Sequence, residues 1–312
     1  MHVSKALGLI ALLHISFAAF AVDWSKVDGT EAVLFYPGQA AWEWALTQSD
    51  HSGNEKFRQG KDCRDCHQDE QKDMGEKIVS GKKLEPNPIP GKRPAIPLTV
   101  KAAHDGERLY LHFEWPQSTG NVEKKMDPDV ATRVTVMLDD GTVVEATRAG
   151  CWGTCHADLP DMASASEGTD LTKYLARSRT KITRQGGGDS YKSAGELEQL
   201  RKDGVFMEYW QAQLNPGAAP KPVDGYILDK RHENASPSVT AEGGLEGDKW
   251  VVVLSRKLKM SDPKHKDIVG GKTYSLGFAI HDAYSEHRYH HVSFRYTLVL
   301  DSGDADLVAK KM

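Results

Sequence analysis

The sequence predicts a mainly β protein, an antiparallel β-sandwich with long loops, preceded by a small, mostly helical segment. Three observations lead there. Alternating apolar and polar residues recur in the C-terminal two thirds, most clearly in "KWVVVLSRKL", which is the period of a strand with one buried face. A proline-rich stretch, "LEPNPIPGKRPAIP", falls where that pattern begins and marks a boundary near residue 94. Before it, residues 22–94 read as short helices and loops.

The elements follow in chain order. "MHVSK" and the apolar run "ALGLIALLHISFAAFA" have the form of a signal peptide, residues 1–21, with Ala19-Phe20-Ala21 as the cleavage site before Val22. An uncleaved anchor is the alternative, but the run is short for a spanning helix. Export to a bacterial periplasm is expected, with no integral membrane segment once the signal is removed. "IPLTVKAAHDGERLYLHFEW" reads as two strands joined by an Asp-Gly turn. "ATRVTVMLDDG" and "TVVEATRAG" are further strand candidates. Residues 157 to 236 read as poor in strands, with a helix inside "SAGELEQLRKDGVFMEYWQAQL" and a loop at the glycines 186–188. "KWVVVLSRKL", "KTYSLGFAIHDAY" and "HVSFRYTLVLD" close the set. Long structureless loops are uncommon in a compact domain unless they do something, such as cover a ligand.

The bulk numbers agree with a folded, exported chain. Of 312 residues, 27% are charged and 39% hydrophobic, which excludes a disordered protein. A formal net charge of -4 gives no electrostatic case for a nucleic-acid partner.

All four cysteines lie in two close pairs, each followed at once by histidine. The first, Cys63-Arg64-Asp65-Cys66-His67, fits the C-x-x-C-H rule for covalent haem. Two thiols about one helical turn apart add to the two vinyl groups on one porphyrin edge, and the next residue places its imidazole under the iron. His67 is then the proximal ligand. A zinc half-site would need two more ligands, and a redox pair would need a βαβ context that is not seen. For the distal side His51 ranks first and Met74 second. Met74 lies roughly 10 Å along the axis from His67 if one helix holds both, so it serves only if that helix breaks. His104 is a third option.

The second pair, Cys151-Trp152-Gly153-Thr154-Cys155-His156, has one residue too many. A covalent haem on a bulged loop, with His156 proximal, is the favoured reading. A disulfide is the main alternative in an oxidising compartment, and zinc lacks a further cysteine. Met162 is one possible sixth ligand here, because Pro160 would break the intervening helix.

"VKAAHDGERLYLHFEW", "KWVVVLSRKL" and "YSLGFAIHDAYSEHRYHHVSFRYTL" resemble the haem-binding domain shared by dihaem cytochromes c-552 of denitrifying bacteria and the γ subunits of ethylbenzene and dimethylsulfide dehydrogenases. The resemblance covers about residues 95 to 302. It implies a β-sandwich with a haem held in loops at its end. In the γ subunits that haem is non-covalent, with methionine and lysine ligands. The cysteines here resemble the c-552 branch instead, where this domain's haem is covalent and an N-terminal c-type haem precedes it. His156 then replaces the methionine, and His290 falls where the lysine would be, with His291 one residue off. Neighbouring strand residues point to opposite faces, so one of that pair serves. His281 and His287 rank lower.

Two covalently bound haem c groups in an exported chain imply electron transfer. The expected partners are a membrane quinol-oxidising cytochrome on one side and a terminal reductase or small cytochrome on the other. A dihaem peroxidase with one displaceable distal ligand, or the haem subunit of a molybdenum enzyme, are the alternatives.

Overall fold

A computed structural model describes residues 22–38, 42–46, 51–119, 126–154, 175–180, 191–285 and 289–312. Thirteen strands appear among them: β1 (Gly29–Phe35), β2 (Ala95–His104), β3 (Arg108–Pro116), β4 (Thr132–Asp139), β5 (Met207–Leu214), β6 (Lys221–Ile227), β7 (Arg231–Glu233), β8 (Thr240–Glu246), β9 (Lys249–Lys257), β10 (Tyr274–Asp282), β11 (His291–Val292), β12 (Tyr296–Leu300) and β13 (Leu307–Lys311). The helices are α1 (Trp42–Ala45), α2 (Asn54–Arg58), α3 (Cys63–His67), α4 (Gln71–Val79), α5 (Val144–Ala149) and α6 (Ala194–Lys202).

Hydrogen bonding runs in the order β7-β6-β5-β4-β10-β11-β1-β2-β3-β9-β8, and β12 and β13 give a second path from β10 to β2. The pairing is antiparallel except around β13, which runs parallel to both β12 and β2. The continuous ladder folds over on itself, so β5 and β9 meet face to face. Between the two layers lies an apolar core that includes Phe113, Trp115, Trp210, Trp250, Leu276, Phe278 and Leu298, all at most 1% exposed. Trp115 stacks on Trp250 with ring centroids 6.2 Å apart. Burying each such ring stabilises the fold by roughly 2–3 kcal/mol.

The predicted β2–β3 hairpin forms as expected. Asp105 Oδ1 accepts the backbone N–H groups of Glu107 and Arg108, and Gly106 takes φ +97° in the turn. β9 and β10 also form where the alternation placed them.

Four readings need correction. The stretch before residue 94 is not only helices and loops, because β1 pairs with β2 along its whole length. "TVVEATRAG" is not a strand: it ends in helix α5, which buries Glu145, Ala146 and Ala149 and stops at Gly150 with φ +62°. The region up to 236 is not strand-poor, since β5, β6 and β7 extend the sheet beyond β4. "HVSFRYTLVLD" is two short strands, β11 and β12, with an irregular Ser293–Arg295 between them.

The outer face of this layer carries a second apolar cluster. It includes Phe35, Trp42, Phe57, Ala149, Cys151, Trp152, Ala279, Val292 and Phe294. The helices that bear the cysteine motifs pack there. Among the described residues no helix is long and apolar enough to cross a membrane.

Candidate functional site

The first motif forms α3, a single helical turn. Asp62 caps it: its Oδ1 accepts the Asp65 N–H at 2.8 Å, while Asp65 Oδ2 accepts the Asp62 N–H at 3.0 Å. This reciprocal box satisfies donors that a five-residue helix cannot satisfy internally. Arg64, the other spacer residue, anchors the turn to the sandwich. Its guanidinium donates to Asp306 Oδ1 (2.9 Å) and to the Arg295 carbonyl (3.0 Å) and lies 4.4 Å from the centroid of the Tyr296 ring. The two spacer residues therefore fix the turn, and both cysteines line a cavity beside it.

That cavity has a volume of about 470 Å³, within the range of cofactor sites. Its walls include Trp44, His51, Phe57, Cys63, Cys66, His67, Met74, Trp152 and Phe294. Cys63 and Cys66 are free thiols, not a disulfide. Burial, then the nearby Asp62 and Cys66, push the Cys63 thiol well up, so it stays protonated. Among the described residues no group of three or more His, Cys, Asp or Glu side chains is placed to hold a metal ion.

The two histidines across the cavity carry the clearest signal. His67 Nδ1 lies 2.9 Å from Glu70 Oε2, and His51 Nδ1 lies 3.0 Å from the Ala45 carbonyl. A carbonyl oxygen only accepts, so the proton of His51 sits on Nδ1 and the Nε2 lone pair is left for a metal. This is the usual arrangement behind a ligating imidazole. The ring centroids are 6.1 Å apart. Two imidazoles on opposite sides of one ion, each with a metal–nitrogen bond of about 2 Å, place their centroids about 6 Å apart. The cavity, the thiol pair and the histidine spacing fit a covalent haem held by His67 and His51.

Met74 also reaches this cavity. The helix does break: α3 ends at His67, α4 starts at Gln71, and Asp69 between them takes φ +65°. Gly75, within α4, has no room for a side chain: a Cβ there would lie 2.1 Å from the Pro94 carbonyl oxygen. His104 lies outside the cavity. It is buried at the end of β2, with Nε2 2.9 Å from Asp301.

At the second motif Cys151 is fully buried and its backbone lies directly over Gly277 of β10. Cys155, His156, Met162 and His287 lie outside the described residues, as does the segment 1–21. His290 and His291 are both buried, not solvated strand-end residues. His290 stacks on His281 with centroids 4.2 Å apart. His291 Nε2 donates to the Arg93 carbonyl at 2.7 Å, and burial, then Lys92, holds its pKa well below the ordinary histidine value. The proline-rich stretch has a structural task here: Lys92 donates to the carbonyls of Tyr284 and Tyr289 (2.6 and 2.5 Å), and Arg93 pairs with Asp282.

Sequence reasoning missed the aromatic walls, Trp44, Phe57, Trp152 and Phe294, because tertiary packing alone assembles them. Glu70 was visible in principle, as an acid three residues after a proposed ligand.

A family model described as "Ethylbenzene dehydrogenase" matches residues 21–293. The chain is 38% identical over 302 residues to a cytochrome c-552 of Stutzerimonas stutzeri, covering 96% of this chain and 94% of that one. It is 26% identical over 292 residues to a cytochrome c-551 of Rhodocyclus tenuis, covering 93% and 100%. Among solved structures, a family 9 carbohydrate-binding module from Caldicellulosiruptor kristjanssonii covers 64% of this chain and 67% of its own, at 13% identity and a TM-score of 0.30, too loose a likeness to bear on function. The chain belongs to the ethylbenzene dehydrogenase family and, within it, to the cytochrome c-552 family.

Proposed function

We propose that this chain is a c-type cytochrome with two covalently bound haem c groups, exported to the periplasm, that relays electrons between redox proteins. The observation that carries the reading is the pair His51 and His67, 6.1 Å apart across a cavity that Cys63 and Cys66 also line. Kinship with a cytochrome c-552 and a cytochrome c-551 supports it.

A haem bound here supplies one-electron redox chemistry; the residues set what that chemistry is worth. Cys63 and Cys66 would tether the group by thioether bonds. His67 and His51 would offer Nε2 to it, with Nδ1 held by Glu70 and by the Ala45 carbonyl. Trp44, Phe57 and Phe294 exclude water from the cavity walls. At the second site Cys151 and Cys155 are the proposed tethers, His156 the proximal ligand and His290 the distal one. His291 ranks below His290 because its Nε2 is committed to the Arg93 carbonyl. Met162 and Met74 rank below the histidines.

With a histidine pair at each site no position would be left for a substrate, and the role would be relay, from a membrane quinol-oxidising cytochrome to a terminal reductase or another small cytochrome. Docking would be transient, salt-sensitive and steered by surface charge. The peroxidase alternative needs a displaceable distal ligand, and the fixing of His51 to Ala45 weighs against that at the first site. Two experiments test the reading. Pyridine haemochrome assay should give two haems per chain, and a value of one would overturn the second site. His51→Ala should turn the first haem high-spin in ferric EPR while Met74→Ala leaves it low-spin. The reverse result would hand the position to methionine.

A further inference from the structure

Two imidazoles line the first cavity, and their Nδ1 atoms are held differently. His51 Nδ1 donates to a backbone carbonyl, that of Ala45, at 3.0 Å. His67 Nδ1 lies 2.9 Å from a carboxylate oxygen, Glu70 Oε2. A carboxylate only accepts, so Nδ1 of His67 carries the proton and donates it. A carbonyl is a neutral dipole, whereas a carboxylate carries a full charge and makes a hydrogen bond roughly twice as strong. The two sides of the cavity are therefore not equivalent.

The backbone places that carboxylate. α3 ends at His67, and Asp69 takes φ +65°, which turns the chain back before α4 begins. The Glu70 N–H donates to the His67 carbonyl at 3.2 Å, and the Met74 N–H donates to the Glu70 carbonyl at 2.9 Å. Glu70 is thus the N-cap residue of α4, yet its side chain makes no capping hydrogen bond. Asp62 and Ser193, at the same position of α3 and α6, both cap with their side chains. The Glu70 carboxylate is turned onto His67 instead. It stands behind the imidazole, outside the residues that line the cavity.

We propose that Glu70 lowers the reduction potential of the haem at the first site, as a positioning residue that acts through His67. The inference rests on the reading that Cys63, Cys66, His67 and His51 hold that haem. The carboxylate gives the His67 ring partial imidazolate character, which makes Nε2 the stronger donor of the pair. Ferric iron carries one more positive charge than ferrous iron, so it gains more from that donor. In each reduction one electron arrives from a redox protein and the iron passes from ferric to ferrous. No bond breaks, and the proton stays on Nδ1. The Glu70 side chain is 57% exposed, so solvent screens its charge and limits the effect.

The test is a potentiometric titration of the full-length holoprotein. Glu70→Gln keeps the shape and an accepting oxygen and removes the charge. It should favour the ferrous form of one haem about fivefold, a rise of about 40 mV at about 59 mV per tenfold. The ferric EPR g values of that haem should shift with it, while the urea unfolding midpoint stays at the wild-type value. Asp73→Asn removes the same charge from an exposed position about one turn further along α4 and should move neither the potential nor the g values. An unmoved potential in Glu70→Gln, or an equal rise in Asp73→Asn, would overturn the role of Glu70 and leave the haem reading standing. A wild-type peptide spanning Cys63 to His67 that carries no haem by mass spectrometry would overturn both.

Discussion

The two faces of β10 divide the labour of the molecule. Leu276, Phe278 and Ile280 point between the sheets into the apolar core. Gly277, Ala279 and His281 point the other way, toward Cys151, the helical layer and His290. The strand is buried throughout, so period-two alternation here separates two buried environments rather than core from water. Polar groups are treated differently on the two sides. Glu208, facing inward from β5, is saturated by the protein: Arg256 Nε at 2.8 Å, His265 Nδ1 at 3.0 Å, Trp210 Nε1 at 2.6 Å and the Lys266 N–H at 2.7 Å. On the outer side His51 and His67 each engage Nδ1, one with the Ala45 carbonyl and one with Glu70, and both line the cavity. One face closes its hydrogen bonds to make a fold, and the other borders an open space.

The largest test of that contrast removes the cation from the inner cluster. Arg256→Met leaves a buried carboxylate without its partner and should cost about 4–5 kcal/mol in urea unfolding. Glu208 also supplies a pH signature. Burial raises its pKa, but the Arg256 charge, with His265 and the Lys266 N–H, outweighs that and leaves it below the ordinary carboxylate value. Its contribution is therefore present above the unfolded pKa of about 4.3 and lost as pH falls through the lowered folded value. In the Arg256→Met protein the carboxyl pKa rises, so acid destabilisation should begin at higher pH. Coincident acid-unfolding curves for wild type and variant would remove Glu208 from the account.

Next in size, Phe278→Ala on the inner face should cost about 3–4 kcal/mol, while His281→Ala on the outer face of the same strand should cost about 1 kcal/mol. If the proposed second haem is present, the optical and EPR spectra should respond in the opposite order, with His281→Ala perturbing it and Phe278→Ala leaving it near wild type. Equal costs, or a silent His281, would mean that the faces are not specialised.

Gly277→Ala acts where the faces meet the second motif. The new methyl group would collide with Cys151, so the expected cost is about 1–3 kcal/mol. Attachment at the second motif should fall with it, read as a drop toward one haem per chain. Full loading would show that Cys151 tolerates displacement.

These contrasts also explain what could be read from the residues alone. The strands β2, β3 and β9 were legible because one face is visibly more polar. β5 was not, because "MEYWQAQL" is buried on both faces and carries Glu208 inward, which looks like a solvated position in one dimension. "TVVEATRAG" misled through its β-branched residues; Gly150, a helix stop, was the better clue. The Cys63–His67 spacing was legible, but the bounds of α3 were not: the sequence suggested a helix starting at His67, and the structure ends one there. His51 could be ranked, but its carbonyl partner and its distance from His67 are tertiary facts. Trp152 looked like a spacer, and only its packing makes it a wall.

The smallest expected effect lies at the joint between the first motif and the sandwich. Arg64 and Asp306 are each about a quarter exposed in their side chains, so solvent screens the pair. Arg64→Met should cost about 1 kcal/mol or less. It keeps an apolar stem over Tyr296 but loses the hydrogen bonds to Asp306 and to the Arg295 carbonyl. Because Arg295 directly follows Phe294, which lines the first cavity, loosening this joint should change how α3 sits against that wall more than how stably the sandwich folds. The measurement is paired: urea unfolding for the fold, and the haem absorption spectrum for the cavity. A shifted spectrum with a nearly unchanged unfolding midpoint is the expected result. A loss of stability with an unchanged spectrum would place Arg64 in the fold and outside the site.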